Sequence, residues 1–275
     1  MMRFKLCAFA DEASKTVDGQ IAAMQRNGIS LLEIRGVDGE NVSVITPEKA
    51  KEVKSKLDAG GISVWSIGSP CGKADINGDA EKELDRFKRC LETGHILGAK
   101  NIRIFSFYPP KGEADKYTDK VTERLQGFCE AANGSGITLC HENEKGIYGD
   151  TAQRCHNILK ALPDIRAVFD PANFVQCGEN TADAWELLSP YVHYMHIKDA
   201  LADGSIVPAG KGIVNFPYIL ERYRGEVLTL EPHLKVFDGL AALEAGEKTK
   251  ICEYKYASAG EAFTAAAEAL RDLIK

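Results

Sequence analysis

The chain has 275 residues, a length that suits one α/β barrel and is short for two ordinary domains. Its 44% hydrophobic and 27% charged residues are globular-protein values and exclude a disordered or fibrous chain. With 34 basic against 40 acidic side chains, a net charge of −6, it lacks the basic excess of a protein that grips many phosphates, so nucleic acid is a disfavoured partner.

Read in chain order, Arg3 and Lys5 interrupt the first ten residues, and no uncharged signal core is expected there. Short runs rich in Val, Ile, Phe and Leu then recur at 4–10, 31–35, 62–67, 102–107, 137–142, 167–170, 192–197 and 227–231. The first, third, fifth and eighth are nearly continuous apolar stretches, the pattern of parallel strands covered by helices on one face and packed into a core on the other. Helix signals fill the intervals. Thr46 before Pro47 reads as an N-cap followed by a proline at the first helical position. Leu84, Phe87, Leu91, Gly94 and Leu97 share one helical face, as do Val121, Leu125, Phe128 and Ala132. Asp150 with Gln153, and Ser258 with Glu261, have capping-box spacing. Residues 232–257 form an unusually long connection between the last strand and its helix.

Eight strand–helix units with right-handed crossovers admit a closed (β/α)8 barrel or a doubly wound open sheet. No G-x-G-x-x-G follows the first strand and no G-x-x-x-x-G-K-[ST] occurs, so the open sheet's nucleotide devices are missing. The expected fold is therefore a single (β/α)8 TIM barrel over residues 1–275. The eight cysteines are scattered without a C-x-x-C pair, which argues against a thiolate zinc site, and no apolar run reaches the roughly 18 residues of a membrane span. A soluble, cytoplasmic protein with reduced thiols is expected.

Barrel chemistry sits at the C-terminal ends of the strands. Strands five to eight close on Glu142, Asp170, His196 and Glu231. A lone carboxylate at a strand end is ordinarily a loop residue or a helix cap; four such groups at one rim are another matter. Three converging carboxylates repel one another unless their pKa values rise or a cation compensates. One divalent metal ion is the economical answer, and this donor set suits Mn²⁺, Mg²⁺, Co²⁺ or Zn²⁺.

The motifs H-E-N-E (141–144), F-D-P-A-N-F (169–174), H-I-K-D (196–199) and L-E-P-H-L (230–234), with F-A-D-E (9–12), resemble the xylose isomerase-like superfamily over nearly the whole chain. Within it the chain is similar to the sugar phosphate isomerase/epimerase group. The resemblance implies a metal held by Glu142, Asp170, His196 and Glu231 and by two oxygens of a polyhydroxy ketone or sugar phosphate. It implies Glu142 and Glu231 as the catalytic pair, one removing and one returning a proton through an ene-diolate. A homo-oligomer is common in such families.

Other residues near the rim carry two readings each. Glu33 and Arg35 share a face of strand two and either bind substrate hydroxyls or pair with a neighbour. Lys198 has the parity of His196 and reaches substrate or a rim carboxylate. His233, two residues past Glu231, is a candidate acid for an inosose dehydratase-type lyase, or a loop histidine with one structural hydrogen bond. Ser69, Lys73, Tyr108 and Lys211 lie in rim loops, where Lys73 or Lys211 meets a substrate phosphate or solvent. Trp65 and Phe107 stack on a sugar or belong to the core. Asn173, a candidate substrate-binding residue, stands where the superfamily's abasic-site endonucleases and many ketose 3-epimerases carry His. Gly204, Ser205 and Ile206 replace the endonucleases' D-x-H. Ala202 stands where those epimerases tend to have an Arg. These departures weaken the endonuclease alternative and leave substrate identity open; a catalytically idle sugar-binding barrel is the third class.

Overall fold

In the computed structural model of the chain, residues 3–236, 250–251 and 256–275 are described. The apolar runs form β1 (Lys5–Ala8), β2 (Leu31–Ile34), β3 (Ser63–Gly68), β4 (Asn101–Ile104), β5 (Thr138–Glu142), β6 (Ile165–Phe169), β7 (Val192–Ile197) and β8 (Val227–Leu230). They pair in chain order, all parallel, and β8 returns to β1 with Lys5 opposite Val227 and Ala8 opposite Leu230, so the sheet closes into a barrel. Closure removes the exposed edges that an open sheet would leave. Two short antiparallel ribbons, Gly36–Val37 with Glu40–Asn41 and Asp199–Ala200 with Ile206–Val207, decorate the loops after β2 and β7.

Around the barrel run α1 (Val17–Arg26), α2 (Pro47–Ala59), α3 (Ala80–Leu97), α4 (Thr118–Ala132), α5 (Ala152–Ala161), α6 (Pro171–Gln176), α7 (Thr181–Leu188), α8 (Phe216–Arg222) and α9 (Ala259–Leu273). Each expected apolar stripe turns inward. Helix α3 buries Phe87, Leu91, Gly94 and Leu97 with Leu84 half-buried, and α4 buries Val121, Leu125, Phe128 and Ala132. Thr46 caps α2 by accepting from the Lys49 amide, and Ser258 caps α9 by accepting from the Glu261 amide. The Glu261 carboxylate reaches back to the Ala257 amide, one residue earlier than a standard capping box would place it.

Two expectations shift. Thr151, not Asp150, caps α5 and accepts from the Arg154 amide, because the helix begins one residue later and Asp150 pairs with the Arg154 guanidinium instead. The run expected as a strand to residue 107 leaves the sheet after Ile104; Phe105 and Phe107 donate their amides to the carbonyls of Cys71 and Gly72, and Phe107 adopts φ 65°. Gly72 has φ +86°, and a Cβ there would overlap the Phe105 backbone, so glycine is what lets these two chains approach. Of the long connection after β8, residues 237–249 and 252–255, including Cys252, lie outside the described residues. Cysteines 7, 71, 90, 129, 140, 155 and 177 are free thiols. No described helix is long and apolar enough to cross a membrane.

Side chains alternate along each strand, and this fixes what the barrel encloses. In β4, Ile102 and Ile104 join the main apolar core while Arg103 points the other way into the barrel. The lower interior is a small cluster of Cys7, Cys140, Val168, Tyr194 and Val227 against Leu31 and Trp65. Two residues farther along these strands the interior turns charged.

Candidate metal centre

Glu142 ends β5, Asp170 follows β6, His196 lies in β7 and Glu231 follows β8; all four point into the barrel mouth. Their donor atoms lie within 4.8 Å of one another, and none of the four residues is more than 3% exposed. His196 Nδ1 is the common neighbour, 2.9 Å from Glu142 Oε1, 3.4 Å from Glu231 Oε2 and 4.0 Å from Asp170 Oδ2. Its other ring nitrogen, Nε2, lies 3.1 Å from Glu33 Oε2.

Each carboxylate faces a buried cation, and Asp170 and Glu231 share one. Arg103 donates to Glu142 Oε2 at 3.0 Å and to the Ser69 carbonyl at 3.1 Å. Lys198 Nζ lies 2.6 Å from Asp170 Oδ2 and 2.7 Å from Glu231 Oε2. Arg35 spans Glu231 at 3.1 Å, Glu12 at 3.1 Å and both oxygens of Asp11. The Phe9 ring stands under both guanidiniums and meets the His196 ring edge-on at 5.1 Å.

These surroundings separate the carboxyls electrostatically. Burial pushes Glu142 up, but facing His196 and Arg103 outweigh it and hold the group at about 2. Burial also raises Glu231, yet Lys198, His233 and His196 bring it well below the usual carboxylate range. For Asp170, burial with the repulsion of Glu231 and Glu142 exceeds the pull of Lys198, and the group is pushed up to about 7. Burial lifts Glu12 to about 8 against the attraction of Arg35. His196 is lowered by burial and raised further by Glu142, Glu33 and Glu231, ending well above the usual imidazole value.

A divalent cation fits this donor set. Three carboxylates and one imidazole are hard to borderline donors. Asp170 Oδ2 is buried and accepts no hydrogen bond of normal geometry, despite its closeness to Lys198. The Asp170 backbone is locked separately: its amide donates to Asn143 Oδ1, its carbonyl accepts from Asn143 Nδ2, and Oδ1 caps α6 by accepting from the Asn173 amide. One carboxylate oxygen is thereby aimed into the cluster on a rigid stem.

The other residues singled out in the sequence fall in several places. Glu33, expected to meet either substrate or a neighbour, is fully enclosed and pairs with His196 and the Tyr194 hydroxyl. Arg35 is likewise engaged by acids. Asn173 donates to the Asn143 carbonyl at 2.9 Å and lies 3.4 Å from Glu142 Oε1. His233 Nε2 stands 3.6 Å from Glu231 Oε1 and 3.3 Å from Glu12 Oε1, and its amide donates to Glu12 Oε2. Ser69 is buried with its hydroxyl on the Arg103 carbonyl, and Lys73 pairs with Glu144 at 2.8 Å. Trp65 stacks on His193 at the N-terminal end of the barrel, away from the carboxylates, and Phe107 is core. Sequence reasoning missed Arg103, Asn143, Tyr194 and Asp11, all of which contact the cluster or its immediate supports.

The sequence profile of the xylose isomerase-like TIM barrel family matches residues 21–231. No curated protein sequence matches the chain significantly. Among solved structures, the probable 3-DHS dehydratase AsbF of Bacillus anthracis, involved in petrobactin synthesis, is 16% identical with a TM-score of 0.74, covering 98% of both chains. The IOLI protein with a bound zinc atom is 16% identical, TM-score 0.75, again over 98% of both chains. D-Psicose 3-epimerase of Clostridium cellulolyticum H10, solved with D-tagatose, is 14% identical, TM-score 0.73, over 98% of both. At these identities the likeness is one of fold.

Proposed function

The chain belongs to the xylose isomerase-like TIM barrel family, and from that premise we propose that it is a divalent-metal-dependent isomerase or epimerase of a sugar or sugar phosphate. The observation that carries the reading is the meeting of Glu142, Asp170, His196 and Glu231, from four strands, within 4.8 Å at the barrel mouth. A metal held there supplies Lewis-acid polarisation of a ketone carbonyl and its neighbouring hydroxyl.

The chain's own groups do the rest. Glu142 and Glu231 stand three strands apart around the ring and flank the substrate from opposite sides; one takes the proton from the carbon beside the carbonyl and the other returns it. Arg103 fixes Glu142 through Oε2, while Lys198 and Arg35 fix Glu231 through separate oxygens, so neither base spends free energy on reorientation during turnover. Lys198 and His233, both beside Glu231, are the groups we assign to bind substrate oxygens. A dehydratase begins with the same proton abstraction and then expels a hydroxyl. In that second reading, a lyase, we assign protonation of the leaving group to His233, beside Glu231 and Glu12; burial holds its pKa well below the usual imidazole value, so it takes up the abstracted proton before passing it on.

The test is incubation of the Mn²⁺-loaded protein in D₂O with ketoses, inososes and their phosphates, read by NMR. Deuterium entering beside the carbonyl of one substrate, and lost in Glu142→Gln and Glu231→Gln, is the expected result. A dehydrated product assigns the lyase; no exchange with any member overturns both readings. Metal content separates the remaining alternative, since one ion per chain accords with sugar chemistry and three with an abasic-site endonuclease.

A further inference from the structure

Below the four converging donors lies a chain of polar groups that the proposed chemistry does not use. Ser66 Oγ in β3 is 3.1 Å from the Tyr194 hydroxyl in β7; that hydroxyl donates to Glu33 Oε1 at 2.8 Å; and Glu33 Oε2, in β2, lies 3.1 Å from His196 Nε2. All four residues are fully buried. A carboxylate at such a depth costs several kcal/mol of desolvation unless it is strongly paired. The thiols of Cys7 and Cys140 nearby bring no positive charge, and Arg103, which attracts Glu33 through space, donates its hydrogen bonds to Glu142 and the Ser69 carbonyl. What Glu33 touches instead is the outer nitrogen of the one imidazole whose inner nitrogen faces Glu142, Asp170 and Glu231.

We propose that Glu33, supported by Tyr194, is a positioning residue that orients His196 with Nδ1 toward the metal and Nε2–H donated to its own carboxylate, and so sets metal affinity. The role rests on the metal-centre reading above. The physical cause is specific. An imidazole can present either nitrogen to a metal, and the two place it at different positions relative to the backbone. A hydrogen-bond acceptor behind one nitrogen selects the tautomer, fixes the ring and makes the other nitrogen a better donor. The Phe9 ring edge-on at 5.1 Å adds steric support but selects neither nitrogen, so the selection falls to Glu33. Tyr194 and Ser66 keep the carboxylate from rotating away.

The experiment is Co²⁺ binding to purified, metal-stripped protein, read by its visible absorption and by competition with a chelator. Glu33→Gln keeps the shape and loses the charge; affinity is expected to fall about 10-fold, and about 100-fold in Glu33→Leu, which has no acceptor. Tyr194→Phe is expected to shift affinity in the same direction by less. Val227→Ala, in the same interior cluster but with a side chain that makes no hydrogen bond to Glu33 or Tyr194, is expected to lower thermal stability and leave affinity and spectrum unchanged. That contrast distinguishes positioning from general support of the fold. Should Glu33→Leu fail to fold, the Gln and Tyr194 variants carry the test. Folded Glu33 variants that bind Co²⁺ with wild-type affinity and spectrum overturn this role alone. A wild-type protein that binds no divalent ion overturns the metal-centre reading and this role with it.

Discussion

Along the same strands, two residues apart, the barrel interior changes character. Leu31, Cys140, Val168 and Tyr194 pack with Cys7, Val227 and Trp65 as an ordinary small core. Their successors Glu33, Glu142, Asp170 and His196, joined by Arg103, Lys198 and Glu231, are all at most 4% exposed and all ionisable. The lower layer gains free energy on folding through burial of apolar surface. In the upper layer, desolvated charges oppose folding or at best break even. The stability that tolerates the upper layer therefore comes from below it and from the helix–strand shell, and the charged layer is read most economically as function.

That contrast can be broken or sharpened in steps. The largest effect is expected from Glu142→Gln or Glu231→Gln, which should lower turnover by about 10²–10⁴-fold; the thermal unfolding midpoint should fall as well, because Arg103, or Lys198 and Arg35, is left buried without its counter-ion, so turnover is compared on protein shown to be folded. Stripping the metal with a chelator should lower the midpoint; at a free ion concentration 100 times Kd the linkage amounts to about 2.7 kcal/mol, roughly 5–10 °C for a chain of this size in a scan with and without Mn²⁺. In the lower layer Val227→Ala should cost about 2 kcal/mol in urea unfolding, with turnover retained. Thr46→Ala, which removes only the cap of α2, should cost about 1 kcal/mol and leave the site unaffected. Equal losses of turnover in the Val227 and Glu142 variants would dissolve the distinction between the two layers.

Much of the upper layer was legible in the amino-acid sequence because strands five to eight each end an apolar run on an acid or an imidazole, and a period of two sends such ends to one interior. Arg103 carried the same signal unnoticed: in Asn101-Ile102-Arg103-Ile104 the two polar residues share a face opposite the isoleucines, and a charged residue on an inward face of a closed barrel must meet a partner there. Tyr194, sharing parity with His196, could have been found in that way too. Asp11 and Glu12 stand in the F-A-D-E motif, but their partner could not be read from it. They lie in the turn after β1, outside any periodic element, and their meeting with Arg35 depends on how two loops cross the rim. The start of α5 was misplaced by one residue because Asp150 and Thr151 are both capping residues; spacing alone does not tell which one Arg154 will claim as its ion-pair partner. The end of β4 was placed too far along because Phe105 and Phe107 are apolar enough to continue a strand, and it is their hydrogen bonds to Cys71 and Gly72 that draw them off the sheet.

The central claim is tested most directly by anomalous diffraction from a crystal of the Mn²⁺-loaded protein. The account predicts one peak per chain, bounded by His196 Nδ1 and the carboxylates of Glu142, Asp170 and Glu231, with His196 Nε2 still on Glu33. A peak held by other groups, or none at full Mn²⁺ loading of the solution, would contradict it.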